Sequence, residues 1–330
     1  MKDEVRVGDI AAACGTTAQG FVTYAETASG PLQFPLVIVN GAFDGPVLCL
    51  TAGVHATEYA PIDAVMRVVR GLDPSDLRGA VLAVPVVNLP MFTSRSGFVS
   101  PIDGLNLNKV GAGRADGTSS ERLAHALLSR VIAKAQYHID LHAGDLGEML
   151  MPFVGCALTG NRELDAMGET LARLYSPSLV SISTGEGIPP FADGIVFAAS
   201  RLGVVSLFAE SGGNGTLEER DVSVHLAGIC AVMQRVGMLE GTAPEPVGQR
   251  RTARDRTVIR ASRAGLLRLR VATGDEIAEG QVVAEVCNVF GETVETVHSP
   301  GHGVAGLVWA HKVVNTGDPI VRYWVTQPAS

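Results

Sequence analysis

The chain has little of what would tie it to a nucleic acid, a membrane or a disulfide framework. Lysine and arginine number 26 against 34 acids, a net charge of −8. Phosphate-backbone binding needs a basic face, so the balance argues against a nucleic-acid partner. No window approaches the roughly 18 apolar residues that a membrane span requires. Met1-Lys2-Asp3-Glu4 is charged with no apolar stretch behind it, so no secretory signal and a cytoplasmic location are expected. The five cysteines are scattered and form no CxxC pair, which excludes a structural cysteine–zinc site. Cys49, Cys230 and Cys287 sit in apolar runs and read as small buried hydrophobes. No P-loop or GxGxxG follows a strand. The charged stretch at Arg250-Arg251 and Arg254-Asp255-Arg256 reads as a solvated connector.

What is present is a core. With 330 residues and 46% hydrophobic content, the chain can bury a sizeable interior and is long enough for two domains. Val47–Gly53, Ala80–Val87, Tyr137–Leu141 and Val204–Ala209 are short, nearly continuous apolar runs. Between them, Ala64, Val65, Val68, Val69 and Leu72, and then Ala124, Leu127, Leu128, Val131, Ile132 and Ala135, recur at helical spacing. Alternation of this kind predicts an α/β fold with a mostly parallel, mixed sheet flanked by helices. Residues 1–45 read as a β-rich lead-in. The Pro- and Gly-rich stretch 241–251 reads as a linker. Residues 252–330 carry short β-like runs and a weak repeat: Val271-Ala272-Thr273-Gly274-Asp275-Glu276-Ile277 is echoed by Val314-Asn315-Thr316-Gly317-Asp318-Pro319-Ile320. Two similar halves suggest a small β-barrel resembling a lipoyl/biotinyl-type hybrid. Such carriers present a modified lysine on a hairpin, and the corresponding Val289-Phe290-Gly291-Glu292-Thr293 has none. A structural or assembly module is therefore expected.

Polar residues cluster just after the strands, where open α/β sheets place ligands. Gly53-Val54-His55-Ala56-Thr57-Glu58 sets a histidine and a glutamate three apart at a turn into a helix. Alone, the pair reads equally as a surface histidine and a glutamate favoured at a helix N-terminus. His138-Ile139-Asp140-Leu141-His142 changes the balance. Strand alternation puts Asp140 and His142 on one face, so the carboxylate can orient the imidazole. His138 shares that face but lies about 13 Å back at roughly 3.3 Å per residue, so it reads as structural. His55, Glu58 and His142 match the His₂Glu set of catalytic zinc sites, which keep a fourth position open.

On these motifs the chain resembles the succinylglutamate desuccinylase/aspartoacylase family, relatives of the zinc carboxypeptidases. The family's G-x-H-G-x-E appears as GVHATE, with Ala56 in place of glycine, and its D-L-H as Asp140-Leu141-His142. Its arginine followed by D-G-x-N-L-N-R-x-F-P-G appears as Arg95 and then Asp103 to Gly113, with Lys109 for the second arginine and no Phe-Pro. Its E-L-G-G appears as Glu210-Ser211-Gly212-Gly213. The resemblance implies a zinc-carboxypeptidase-like hydrolase domain over 1–240 and one zinc ion per chain held by His55, Glu58 and His142. It implies Glu210 as the proton-transferring carboxylate, Arg95 as the oxyanion partner, and Asn108 and Lys109 as holders of a substrate's polar end. Glu148 and Glu186 stand next in line for the proton role. Lysine offers a flexible point charge where arginine offers a planar fork, so the named family substrates do not transfer.

The expected activity is hydrolysis of the amide of a small N-acyl amino acid or N-acyl diamino acid. A metallo-carboxypeptidase acting on a short peptide, and a non-catalytic binding protein on the same fold, are the alternatives. The expected partner is a small N-acylated molecule, and self-association into a homo-oligomer is left open.

Overall fold

The computed structural model describes residues 3–175, 179–183, 194–243 and 251–326, without the side chains of Ser183, Arg254 and Thr326. Glu186 and most of the expected 241–251 linker lie outside the described residues. The chain opens with a small hairpin, β1 (Val5–Val7) and β2 (Ile10–Ala12), and a long one, β3 (Thr16–Thr27) and β4 (Gly30–Asn40). The β/α part follows as β5 (Phe43–Ala52), α1 (Tyr59–Gly71), β6 (Arg78–Val84), α2 (Leu89–Ser94) and α3 (Ser119–Arg130). It continues through β7 (Tyr137–His142), β8 (Glu148–Ala157), α4 (Arg162–Tyr175) and β9 (Leu179–Ser183), and then α5 (Ile195–Arg201), β10 (Val205–Gly213) and α6 (Glu219–Arg235). After it come β11 (Arg251–Arg260), β12 (Gly265–Leu269), β13 (Glu276–Ile277), β14 (Val282–Cys287), β15 (Thr293–His298), β16 (Gly303–Trp309), β17 (Val313–Val314) and β18 (Pro319–Thr326).

The central strands run β8-β10-β7-β5-β6-β4-β3, parallel at β10–β7, β7–β5 and β5–β6 and antiparallel at β8–β10 and β6–β4–β3. Both faces are covered. Leu48, Leu50 and Ala52 of β5 join a core with α1, α4 and α6, while Cys49 joins a second core with α3 and α5. This is the period-two alternation of a strand buried on both sides, which is why its sequence reads as one apolar run. Cys156 is buried with Cys49 and Cys287, but Cys230 is exposed on α6: an apolar neighbourhood in sequence does not fix which side of a helix a residue occupies.

The strands after residue 250 form two groups. The sheet β15-β14-β12-β17 closes over a core of its own that includes Val283, Val286, Val297, Ile320 and Tyr323. The repeat seen in the sequence forms two matching turns. Gly274 (φ 92°) and Gly317 (φ 91°) take the left-handed bend, and Asp275 and Asp318 accept the backbone N–H of Ala272 and Asn315. The other strands join the large sheet, with β11 parallel to β9 and β16 antiparallel to β8. The pairings β8–β9, β9–β11, β11–β18, β18–β16 and β16–β8 make a closed circuit filled by Phe153, Leu179, Ala253, Leu307 and Trp324. The solvated-connector reading of Arg254-Asp255-Arg256 is thereby overturned: these residues belong to a strand of that circuit, and Arg256 is half-buried. Among the described residues, no helix is long and apolar enough to cross a membrane.

Candidate metal centre and active site

Parallel strands deliver their C-terminal ends to one edge, and the candidate ligands sit there. β5 leaves through Gly53, whose φ of +69° suits glycine and whose missing Cβ would stand 3.1 Å from the Val86 Cα. The turn carries His55 back over the sheet. Glu58 occupies the N-cap of α1 yet makes no side-chain cap bond. Its carboxylate is aimed at the two histidines instead: Oε1 lies 2.9 Å from His55 Nδ1, and Oε2 lies 2.9 Å from His142 Nδ1. His142 is the last residue of β7. All three residues are buried, and their ligand atoms lie within 4.8 Å of one another.

The outer ring nitrogens decide what the inner ones can do. His142 Nε2 is 3.0 Å from Asp140 Oδ2, and His55 Nε2 is 3.1 Å from Asn106 Oδ1. Each oxygen can accept an Nε2–H, which leaves both Nδ1 lone pairs facing the Glu58 carboxylate, as a metal-ligating histidine requires. The donor chemistry therefore fits a divalent cation held by His55 Nδ1, Glu58 and His142 Nδ1. Asp140 is itself fixed by a relay. Thr51 donates its hydroxyl to Asp140 Oδ1 at 2.6 Å and lies 2.9 Å from His138 Nε2, whose Nδ1 is 2.7 Å from Ser206 Oγ. His138 is fully buried, and burial pushes its imidazole down to about 4. A neutral ring that donates at Nε2 and accepts at Nδ1 satisfies the relay, in line with the structural reading made from spacing.

Burial works against protonation of His142, but the Asp140 and Glu58 carboxylates outweigh it and hold the ring well above its ordinary value. Burial likewise works against ionisation of Glu58, and the two histidines outweigh it and hold the carboxyl low. The first effect shows how much negative charge converges on His142, and the second shows that Glu58 is held as a carboxylate beside the two rings.

Glu210 is the register partner of His142 on the adjoining parallel strand. Its Oε2 is buried without a hydrogen-bond partner among the described residues. Burial first, then the Glu58 and Glu148 carboxylates, hold its carboxyl well above the usual range, although His142 opposes this. Glu210, Asp140, His142 and Asn108 line a cleft of about 320 Å³ whose other walls are Gly194–Phe197 and Phe208. Asn108 Nδ2 stands 3.4 Å from His142 Nε2. Among the sequence candidates, His55, Glu58, His142, Asp140, Glu210 and Asn108 are thus brought together. Arg95 and Lys109 are exposed, with no ion pair among the described residues and no place in the cleft lining.

Two further residues organise the site: Asp145, which sequence reasoning passed over, and Glu148, which it named as a reserve for the proton role. Asp145 is fully buried, takes the Thr57 hydroxyl on Oδ1 and accepts the Phe98 N–H on Oδ2 at 2.6 Å. It thereby ties down a loop in which Arg95 and Phe98 both hold left-handed backbone (φ 55°). A Cβ at Gly97 would stand 2.7 Å from Asp145 Oδ1, so the clamp also needs glycine there. The Phe98 ring meets His55 edge-on at 5.7 Å. Glu148 is the second. Mostly buried, it is pushed above its ordinary value by loss of solvent, while Arg322 pulls it back. The sequence signal for both was the run Asp140 to Glu148, which packs three acids into nine residues at a strand end.

The mixed α/β sheet thus brings a His–Glu–His group that could hold a metal ion, and a buried carboxylate, to the C-terminal ends of its parallel strands. The model of the succinylglutamate desuccinylase/aspartoacylase catalytic domain matches residues 44–236, and the chain belongs to that family. A curated relative from Halomonas elongata, N-alpha-acetyl-L-2,4-diaminobutyric acid deacetylase, is 28% identical over 301 residues, covering 89% of this chain and 86% of the relative. The fold is shared with the product-bound ectoine utilization protein EutE (DoeB) from Ruegeria pomeroyi. There the TM-score is 0.85 at 22% identity, covering 94% of this chain and 95% of that one. It is shared also with the succinylglutamate desuccinylase/aspartoacylase from Rhodobacter sphaeroides, with a TM-score of 0.84 at 23% identity over 94% of this chain and 96% of that one.

Proposed function

We propose that this protein is a zinc-dependent deacylase of small N-acyl amino acids, with an N-acetylated diamino acid as the substrate to try first. The observation that carries the reading is the convergence of His55 Nδ1, Glu58 and His142 Nδ1 beside the buried, unpartnered Oε2 of Glu210. Zinc in such a set supplies Lewis acidity and an acidified water. In this reading Glu210 takes a proton from the attacking water and returns it to the leaving nitrogen. A carboxyl group held well above its ordinary value by burial suits that exchange. Arg95 stands exposed on the loop clamped by Asp145, outside the cleft lining, so in this reading it meets the charge that develops on the carbonyl oxygen only when that loop folds over bound substrate. Asn108 orients the acylated end in the cleft. The C-terminal strands, whose hairpin tip at 288–292 lacks a lysine, serve as structure and not as a swinging arm.

The likeness to the deacetylase, over nearly the whole of both chains, supports the amide as the bond cleaved. The test is metal analysis of purified protein, together with turnover of N-acetyl-L-2,4-diaminobutyrate, other N-acetyl amino acids and a set of dipeptides. Turnover of the N-acetyl compounds with one zinc per chain is expected. Turnover of dipeptides alone would establish the carboxypeptidase alternative, and zinc without turnover of any panel member would favour the binding-protein alternative.

A further inference from the structure

We propose that Arg322, on the C-terminal strand β18, seats a carboxylate of the substrate, so that the acid end is recognised from outside the hydrolase strands. The proposal rests on the deacylase reading above.

Strand register places Arg322 on the face that continues from the cleft. Residues paired across neighbouring strands project to the same side. Arg322 pairs with Leu307, Leu307 pairs with Leu150 of β8, and two residues along, Trp309 pairs with Glu148. On the same side of β18, Trp324 packs against Phe153 with ring centres 4.8 Å apart. Phe153 in turn meets Phe208 at 5.9 Å, and Phe208 and Glu210 line the cleft. A continuous chain of packed rings thus links the cleft wall at Phe208 to the side of β18 that carries Arg322, which stands behind the cleft lining and not in it.

The polar atoms on this wall lack partners in a particular way. Arg322 Nε and Trp324 Nε1 are both buried and find no acceptor among the described residues. Arg322 has no carboxylate within ion-pair distance there, and its guanidinium carbon lies 5.5 Å from the centre of the Trp309 ring. Glu148 and Glu210 are near enough to act on its charge without pairing with it. Arg256, opposite Trp324 on β11, adds a second half-buried cation, which burial and the neighbouring Arg322 hold down to about 10. Two cations that repel each other beside buried N–H donors form a site for an anion with several acceptor oxygens. An arginine stays charged at every working pH, and a buried charge is costly until it is paired. A carboxylate meets both needs through two parallel N–H···O bonds. The cations that the family motif offers, Arg95 and Lys109, are exposed, where water and salt weaken any hold on an anion.

A rival role for Arg322 is that of a counter-charge to Glu148 and Glu210 alone. The two roles separate on a pair of probes, N-acetyl-L-2,4-diaminobutyrate and its primary carboxamide, used with zinc-loaded wild type, Arg322→Met and Arg322→Lys. If Arg322 holds the carboxylate, wild type prefers the acid by about tenfold or more in kcat/KM, the scale of one charge-assisted bidentate contact. Arg322→Met then loses that preference through a raised KM for the acid, and its kinetics on the carboxamide stay within about threefold. Arg322→Lys keeps part of the preference, and also serves as the folded control if the methionine variant does not fold. Equal losses on both probes, with a shifted pH profile, would establish the counter-charge role and overturn the proposal. Failure of wild type to cleave either probe would overturn the deacylase reading instead. Calorimetric binding of 2,4-diaminobutyrate and its carboxamide would then decide for Arg322: acid-selective binding lost in the variants supports it, and indifference to the carboxylate overturns it.

Discussion

Glu210 and His142 face each other as register partners on adjoining parallel strands, one carrying an unpartnered buried carboxyl oxygen and the other a ring nitrogen directed at Glu58. The proposed function gives proton transfer and metal holding to these neighbours, which a substitution can separate. Glu210→Gln is nearly isosteric but cannot accept and return a proton. It should keep its zinc while turnover falls by roughly 10²–10⁴-fold, the range typical of a lost general base. Metal content measured beside kcat decides the matter. A variant that loses its zinc makes Glu210 a ligand, and one with full activity moves the proton role to Glu148.

His142→Ala should lose metal and activity together, because two protein ligands hold a catalytic zinc poorly. Chelation of wild type should abolish turnover, and added zinc should restore it. Turnover that survives complete chelation would remove the metal from the reaction.

The raised carboxyl of Glu210 has a consequence for stability. Its native value lies above the unfolded one, about 4.3, so between the two the folded state holds the extra proton. The stabilisation is complete below the unfolded value and is lost as pH rises through the native one. In metal-stripped protein, the Tm of Glu210→Gln should therefore gain on wild type between pH 5 and pH 8. A gap that stays constant across that range would show that burial does not govern this carboxyl.

Asp145→Ala removes the acceptor of the Thr57 hydroxyl and the Phe98 N–H from a fully buried position. At about 1–3 kcal/mol for each buried donor left unsatisfied, a loss of roughly 2–4 kcal/mol in unfolding free energy is expected. Zinc affinity should fall as well, because the loop that places Phe98 against His55 is released. Denaturant unfolding and metal titration of the variant measure the two effects; a change below about 0.5 kcal/mol would mean that the clamp is not needed.

The sequence was most legible where one residue type answers one demand. The apolar runs around Leu48, Leu82, Ile139 and Leu207 are strands because both of their faces are covered. His55, Glu58 and His142 could be read because ligand chemistry tolerates few residue types and strand ends collect them. The C-terminal strands were less legible. Arg254 to Arg256 look solvent-bound when counted as charges, and only long-range pairing with β9 and β18 shows that the strand enters the sheet. Asp145 gave no signal beyond its neighbours, since its partners Thr57 and Phe98 lie 88 and 47 residues away in the chain.

The closed circuit of β8, β9, β11, β18 and β16 links segments from both halves of the chain through hydrogen bonds that leave no free edge within it. Such a ring cannot open at one seam without exposing the backbone groups of its neighbours and the packed rings of Phe153 and Trp324. The catalytic strands and the C-terminal strands should therefore melt as one cooperative unit. A fragment ending near residue 243 would forfeit more than an appendage: it would leave β8 and β9 as raw edges beside Glu148 and Glu210, so that half a protein here is no enzyme at all.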